Sequence, residues 1–386
     1  MRIAVIADDL TGALDTGVQF SNWGFKVHVT DDPQSSKADV VVVNTDSRNL
    51  EPGRAYDLVF SVAKKVSGFD LIYKKTDSTL RGNVGPEIQA VLDATGEETA
   101  VLTPCYPPTA RSVKGGHLLV DGVPIDQTEY SVEYSARYSY IPDLIKTHTT
   151  SPIIQQGDSS NIRNLSGILV IDSETEADLL KIAKNTRGHK VLAGSAGLAA
   201  AIAENNINPP PVLSVIGSRR TVTQRQNKVL EHRLRTELIS IDIPLALNQE
   251  PQTRVVQTAL NALKRGRDVI ITSAPDNETV EKTVKSAASL KLCSNELEVR
   301  ITNALANIAK TLVEQTPLSG VILSGGATAM AVCAALSINE IAIIEELRPG
   351  IPLLRLDELN AVTKAGGFGE PDALIQASQY LKRKHR

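Results

Sequence analysis

Apolar runs of about five residues recur along the chain, and most are followed by a stretch whose apolar side chains return every three or four positions. Ile3–Ala7 reads IAVIA, and Gly12 to Trp23 has helical spacing. KVHVT at 26–30 and DVVVVN at 39–44 read as two more strands, ahead of a helix from about Pro52 to Val66. DLIYK at 70–74, a helix from about Val84 to Ala94 and TAVLT at 99–103 continue the alternation, and 167–171 and 190–193 add two strands. Strands that are apolar throughout are buried on both faces, so the pattern predicts parallel sheets covered by helices.

The alternation breaks at 206–211, NINPPP, because three successive prolines cannot continue a helix and make a stiff linker. It then restarts with VLSVIG at 212–217, a helix from about Thr221, LISIDI at 238–243, a helix near Arg254 to Lys264 and DVIIT at 268–272. A long helix from about Leu297 to Glu314 leads to GVILS at 320–324. The apolar stretch from Leu318 to Ile344 is interrupted by Gly325, Gly326, Thr328 and Asn339, and reads as strand, glycine turn and buried helix rather than a membrane span. The expected fold class is α/β: two α/β domains, 1–208 and 212–386, with largely parallel sheets covered by helices and the active site in the interdomain cleft.

Composition narrows the function. A length of 386 residues suits two domains, and 41 basic against 44 acidic residues leave a net charge of −3, so nothing favours nucleic acid or anionic membrane as a partner. Cys105, Cys293 and Cys333 form no CxxC pair, and the six histidines lack zinc spacing, which points to a reducing, cytoplasmic setting without a protein-held metal. The first apolar stretch meets Asp8 and Asp9 too early for a signal peptide.

Ligands of parallel α/β sheets collect beyond the carboxyl ends of the strands. In the first half those ends carry Asp8, Asp9 and Asp15; Asp46, Ser47 and Arg48; Lys74, Lys75, Asp77, Ser78, Thr79 and Arg81; and Pro104, Tyr106 and Arg111. Taken singly, Asp and Ser after a strand cap helices. Together they offer cations for a carboxylate and carboxylates for hydroxyls, as a polyhydroxy acid requires. In the second half GSRRTVTQ (217–224), SGGATAMA (324–331) and KAGGFG (364–369) are glycine-rich loops able to turn backbone N–H groups toward phosphate, and AGSAGLAA (193–200) has the same form before the linker. None matches a P-loop or the dinucleotide fingerprint. Tyr130, Tyr134 and Tyr138 form a helical stripe expected to pack on the body or a partner subunit in a homodimer, His117 is read as structural, and the terminal KRKHR as a solvated tail.

In order and spacing, ADDLTGALDTG (7–17), NTDSR (44–48), YKKTDSTLRGN (73–83), Pro104–Arg111 with DGVPI (121–125), GSAGLA (194–199), GSRR (217–220), SGGATA (324–329) and KAGGFG resemble the four-carbon acid sugar kinases. The resemblance implies an N-terminal acid-sugar domain, a C-terminal ATP domain, and transfer of the γ-phosphoryl group of MgATP to the 4-hydroxyl of D-threonate, D-erythronate or a 3-oxo-tetronate. It further implies that Asp9, Arg48 and Lys75 to Thr79 hold the substrate, and that Ser218, Gly325, Gly326, Ala327, Thr328 and Gly366 or Gly367 hold ATP. Ala327 departs from the family, which usually has a carboxylate there.

The chemistry then assigns Asp9 to accept or orient the hydroxyl proton, with Asp77 as deputy. Arg48 and Lys75 would clamp the substrate carboxylate, Asp8, Ser78, Arg81 and Arg111 complete the acid site, and Lys364 meets the ATP phosphates. Domain closure would expel water. A non-catalytic acid-sugar sensor, with Ala327 as the trace of lost activity, is one alternative. An acid-sugar dehydratase or dehydrogenase is a second, although no dinucleotide fingerprint supports it.

Overall fold

Every residue of Ile3–Ala7 (β1) is buried, as a strand must be when helices cover both faces of its sheet. The structure, a computed structural model, describes residues 1–133 and 138–384; the chain divides into two compact units, Met1–Asn208 and Pro209–Arg386. The first unit continues with β2 (Val27–Val29), β3 (Val40–Asn44), β4 (Leu71–Lys75), β5 (Thr99–Thr103), β6 (Arg111–Lys114), β7 (His117–Val120), β8 (Val123–Pro124), β9 (Ile153–Gln156), β10 (Gly167–Ile171) and β11 (Val191–Gly194). Eight of these form a wholly parallel sheet in the order β2-β3-β1-β4-β11-β5-β10-β9, while β6 to β8 form a small antiparallel one. β1 has β3 on one side and β4 on the other, so consecutive connections diverge there and leave a crevice at its carboxyl end. β11, the last strand of the unit, inserts between β4 and β5 and delivers Ser195 to the same edge.

The helix Leu10–Ser21 starts directly after β1 because the Asp9 side chain accepts the Gly12 N–H, a cap that ends the strand and opens the helix within three residues. Gly12, Ala13, Thr16, Gly17 and Phe20 form its buried face. Asn208 closes the helix Ala196–Ile207 in the left-handed region, at φ 50°, and the prolines follow.

The second unit holds β12 (Val212–Ile216), β13 (Glu237–Ser240), β14 (Val269–Thr272), β15 (Gly320–Ser324), β16 (Ile341–Arg348), β17 (Ile351–Leu356) and β18 (Leu359–Lys364). Their order is β13-β14-β12-β15-β18-β17-β16, parallel as far as β18 and antiparallel beyond it. Both units are therefore α/β with largely parallel sheets. No described helix is long and apolar enough to cross a membrane.

Three local expectations change. The helix after the glycine turn, Gly326–Ala335, is not buried: Thr328 and Val332 are covered and Met330 is 77% exposed, because the helix packs along one face only. The terminal basic run is not a free tail either, since Lys382 lies in the helix Ala373–Lys384 and pairs with buried Asp268 at 3.2 Å; His385 and Arg386 lie outside the described residues. In the tyrosine stripe, Tyr130 meets Arg111, Tyr138 is exposed, and Tyr134 falls outside the described residues. His117 places its Nδ1 2.9 Å from the Ser139 hydroxyl and its ring against Tyr140.

Candidate active site

The carboxyl ends of β1, β3, β4 and β11 enclose a cavity of about 260 Å³, walled by Asp9, Arg48, Lys75, Asp77, Ser78, Arg81 and Arg111. Seven of the nine residues that the sequence nominates for an acid sugar therefore share one cavity. Asp8 and Thr79 stand behind its wall.

Asp8 is buried, and its carboxylate accepts both the Nε (2.7 Å) and Nη2 (3.0 Å) of Arg48. The sequence pattern predicts this arginine's fork for a substrate carboxylate; in the fold that bidentate edge is closed on Asp8. Arg48 Nη1 reaches Asp9 Oδ2 at 2.9 Å, so the guanidinium links two successive carboxylates and fixes Asp9 over the cavity. Asp77 is also clasped. It accepts Arg81 Nε at 2.9 Å and Nη2 at 2.8 Å, together with the Thr79 N–H and hydroxyl. Burial opposes its charge, but the Arg81 fork and Thr79 prevail and hold the carboxyl well below the usual range. A carboxylate so stabilised is a poor proton acceptor, and the deputy role for Asp77 is not supported by its surroundings.

Lys75 is buried, its Nζ donating to the Thr76 carbonyl at 2.7 Å, and burial lowers its pKa against the pull of Asp8 and Asp77. A side chain on Gly12 would stand 2.9 Å from this ammonium and 2.5 Å from Asp9 Oδ1, so only glycine leaves room for the pair. Arg111 donates to the Tyr130 hydroxyl at 2.7 Å and to the Thr109 carbonyl, while its buried Nε has no partner.

Thr11, Gly12, Tyr106, Thr109, Ser195 and Ala196 also line the cavity; strand-end reading names Tyr106 and Asp15 but gives neither a role, and it assigns none to the others. Ser195 belongs to the glycine loop before the linker. There the glycines serve close packing: a Cβ on Gly194 would lie 2.2 Å from the Thr103 carbonyl, and one on Gly197 2.4 Å from that of Cys105.

The second unit has its own cavity, about 1050 Å³, floored by Gly217, Ser218, Gly325, Gly326, Ala327, Thr328 and Gly366. These loops meet because glycine permits it. A Cβ on Gly217 would lie 1.9 Å from Thr328 Oγ1, and one on Gly366 2.0 Å from Ser218 Oγ. The opposite wall is apolar, with Val280, Val284, Ala287, Leu292 and Ile301. Most of it belongs to the helix Asn277–Ser289, whose start is capped by Asp276 and which the apolar pattern does not reveal. Gly367 and Lys364 do not line this cavity. Lys364 lies beneath the loops, buried, 3.4 Å from the Thr223 hydroxyl, which bonds Ser218 Oγ (3.1 Å) and the Gly366 carbonyl (2.7 Å). Burial lowers its pKa to about 8.

Residues 3–202 match the family model described as a sugar-binding N-terminal domain, and residues 213–374 the one described as a nucleotide-binding C-terminal domain. The chain is 30% identical to a D-threonate kinase of Salmonella typhimurium, covering 100% of this chain and 99% of that one. It is 29% identical to a D-erythronate kinase of Heliobacterium modesticaldum, covering 99% and 98%. A solved structure from Bordetella bronchiseptica, described as a domain of unknown function with bound citrate and a domain-swapped dimer, superposes with a TM-score of 0.62 at 29% identity and covers 99% of both chains.

Proposed function

Because this chain belongs to the four-carbon acid sugar kinase family, we propose that it transfers the γ-phosphoryl group of ATP to the 4-hydroxyl of a tetronate such as D-threonate or D-erythronate. The observation that carries this reading is the first cavity, where Lys75 and the partnerless Nε of Arg111 offer positive charge beside Asp9. We assign the substrate carboxylate to Lys75 and Arg111, the hydroxyls to Asp9, Asp77, Ser78 and Arg81, and to Arg48 the task of holding Asp9 in place.

The nucleotide fits the second cavity in kind: small loops whose N–H groups meet phosphates, facing an apolar wall for the base. Ser218, Gly325 to Thr328 and Gly366 would hold the phosphates. Magnesium bound to the nucleotide as MgATP would supply neutralisation of the phosphate charge there. Phosphoryl transfer then needs an oriented hydroxyl in line with the γ-phosphate, with water kept out of the reaction. The domain-swapped dimer of the Bordetella relative supports a homodimer, and the three free cysteines fit a cytoplasmic enzyme.

A coupled ADP assay over threonate, erythronate and 3-oxo-tetronate isomers tests the reading. If Ala327 marks a sensor that has lost its activity, no isomer will release ADP. Cutting the chain between Asn208 and Val212 gives a second check. The N-terminal fragment should bind a tetronate without ATP, the C-terminal fragment ATP without a tetronate, and neither should release ADP. A folded N-terminal fragment that binds ATP with full-length affinity would show the assignment of sites to be wrong.

Lys364 adds a pH signature. With burial lowering its pKa to about 8, a bound polyphosphate must draw it back to the charged form, so nucleotide binding takes up a proton near that pH. ATP affinity should hold below pH 8 and weaken as pH rises through it, with proton uptake visible by calorimetry in buffers of different ionisation enthalpy. Lys364→Met should abolish both effects.

A further inference from the structure

Three carboxylates line the first cavity, Asp9, Asp15 and Asp77, and a kinase that moves a hydroxyl proton needs one of them able to take it. Two are already engaged. Asp9 Oδ1 accepts the Gly12 N–H at 2.9 Å and Oδ2 faces Arg48 Nη1 at 2.9 Å. Asp77 is clasped by Arg81 and Thr79. Asp15 sits six residues after the cap Asp9, on the helix Leu10–Ser21, half-buried, and no arginine among the described residues holds it.

We infer that Asp15 is the general base of this kinase, receiving the proton of the hydroxyl that Asp9 orients. The inference rests on the phosphotransfer reading above. In the step, the substrate O–H proton passes to an Asp15 carboxylate oxygen as the hydroxyl oxygen bonds to the γ-phosphorus. The bond from that phosphorus to the β,γ-bridging oxygen breaks, ADP leaves with the electron pair, and Asp15 returns its proton to solvent.

Its surroundings suit the task. Burial raises the Asp15 carboxyl from its ordinary value, Lys75 from β4 and Gln19 from its own helix pull it back, and neighbouring Asp9 adds to the rise. Arg48, Asp77, Arg81 and Arg111 are the other charged groups on the cavity wall, and the capping end of the helix Ala196–Ile207 contributes only Ser195 and Ala196. Lys75 thus faces both Asp15 and the place given to the substrate carboxylate. It ties the base to the anchor of the acid.

The test is Asp15→Asn in the full chain, on whichever tetronate the wild type uses. The variant loses the proton acceptor and keeps the shape, so kcat should fall about 100-fold or more while the acid-sugar KM stays within about threefold. The fall of wild-type kcat toward low pH, as the base protonates, should disappear in the variant. A carboxyl whose pKa is raised by folding destabilises the native state when ionised, so the melting temperature of Asp15→Asn at neutral pH should equal or exceed that of wild type. Asp15→Glu, which restores a carboxylate one methylene further out, should recover part of kcat. An active wild type with an equally active Asp15→Asn overturns the assignment. So does a loss of kcat matched by a loss of melting temperature with no recovery in Asp15→Glu, which is the result for a merely structural residue. A wild type silent on every tetronate overturns the kinase reading itself, and the role of Asp15 with it.

Discussion

Asp9→Asn is expected to lower turnover by about 100-fold, the cost of misplacing the hydroxyl that Asp9 orients, while leaving ATP affinity and the melting temperature almost unchanged. The separation follows from the two jobs of this side chain. One oxygen caps the helix Leu10–Ser21 through the Gly12 N–H, and asparagine caps a helix as well as aspartate does. The other faces the Arg48 guanidinium, which is already forked on Asp8. Removing the charge from Asp9 leaves the cap and the Asp8–Arg48 pair in place, and takes away only the anion that Arg48 holds over the cavity. Asp9→Ala deletes the cap too and should lose about 1 kcal/mol of stability in addition. Steady-state kinetics, ATP calorimetry and thermal melts on the two variants separate the roles. Near-normal turnover in Asp9→Asn would remove Asp9 from the chemistry.

Much of this site is legible in one dimension because a parallel sheet delivers its ligands by a simple rule. Asp9, Arg48 and Lys75 each stand within a few residues of a five-residue apolar run, and the sheet order brings those runs side by side. What cannot be read along the chain is which charges satisfy each other. Arg48 looks like a clamp for a substrate until Asp8 is seen across its fork, and Asp77 looks like a base until Arg81 closes on it. The apolar wall of the second cavity was hidden for another reason. Val280, Val284 and Ala287 are diluted among lysines, glutamates and serines in the helix Asn277–Ser289, so no apolar stripe stands out along the chain. The strand β16 opens with the apolar residues Ile341 to Ile344, which the sequence pattern takes as the end of a buried helix; in the fold they stand on a mostly exposed strand at the sheet edge.

Lys74 is the sharper case, since a lysine in the middle of an apolar strand, buried to 0% exposure, makes sense only through its partner. Its ammonium lies 2.8 Å from Glu87 Oε2, and Glu87 is itself 2% exposed in the helix Val84–Thr95. The other oxygen of Glu87 accepts the Ser47 hydroxyl at 2.5 Å, and Ser47 lies 2.7 Å from the Thr45 hydroxyl. This buried network joins the residue before Arg48 to the residue before Lys75, so it stiffens both sides of the acid-sugar cavity from below. Lys74→Met strands the Glu87 carboxylate in the core, and breaking one side of a buried pair costs about 3–5 kcal/mol. Urea denaturation should show that loss, with a higher acid-sugar KM in whatever protein remains folded. Lys74→Met/Glu87→Met removes the stranded charge, and Ser47 can still pair with Thr45, so most of the stability should return. The KM should stay high in the double variant, because the link from Ser47 to Lys74 is gone while the core is repaired. Recovery of both stability and KM would show that the network only holds the fold, and a single variant losing less than about 1 kcal/mol would show that water reaches Glu87.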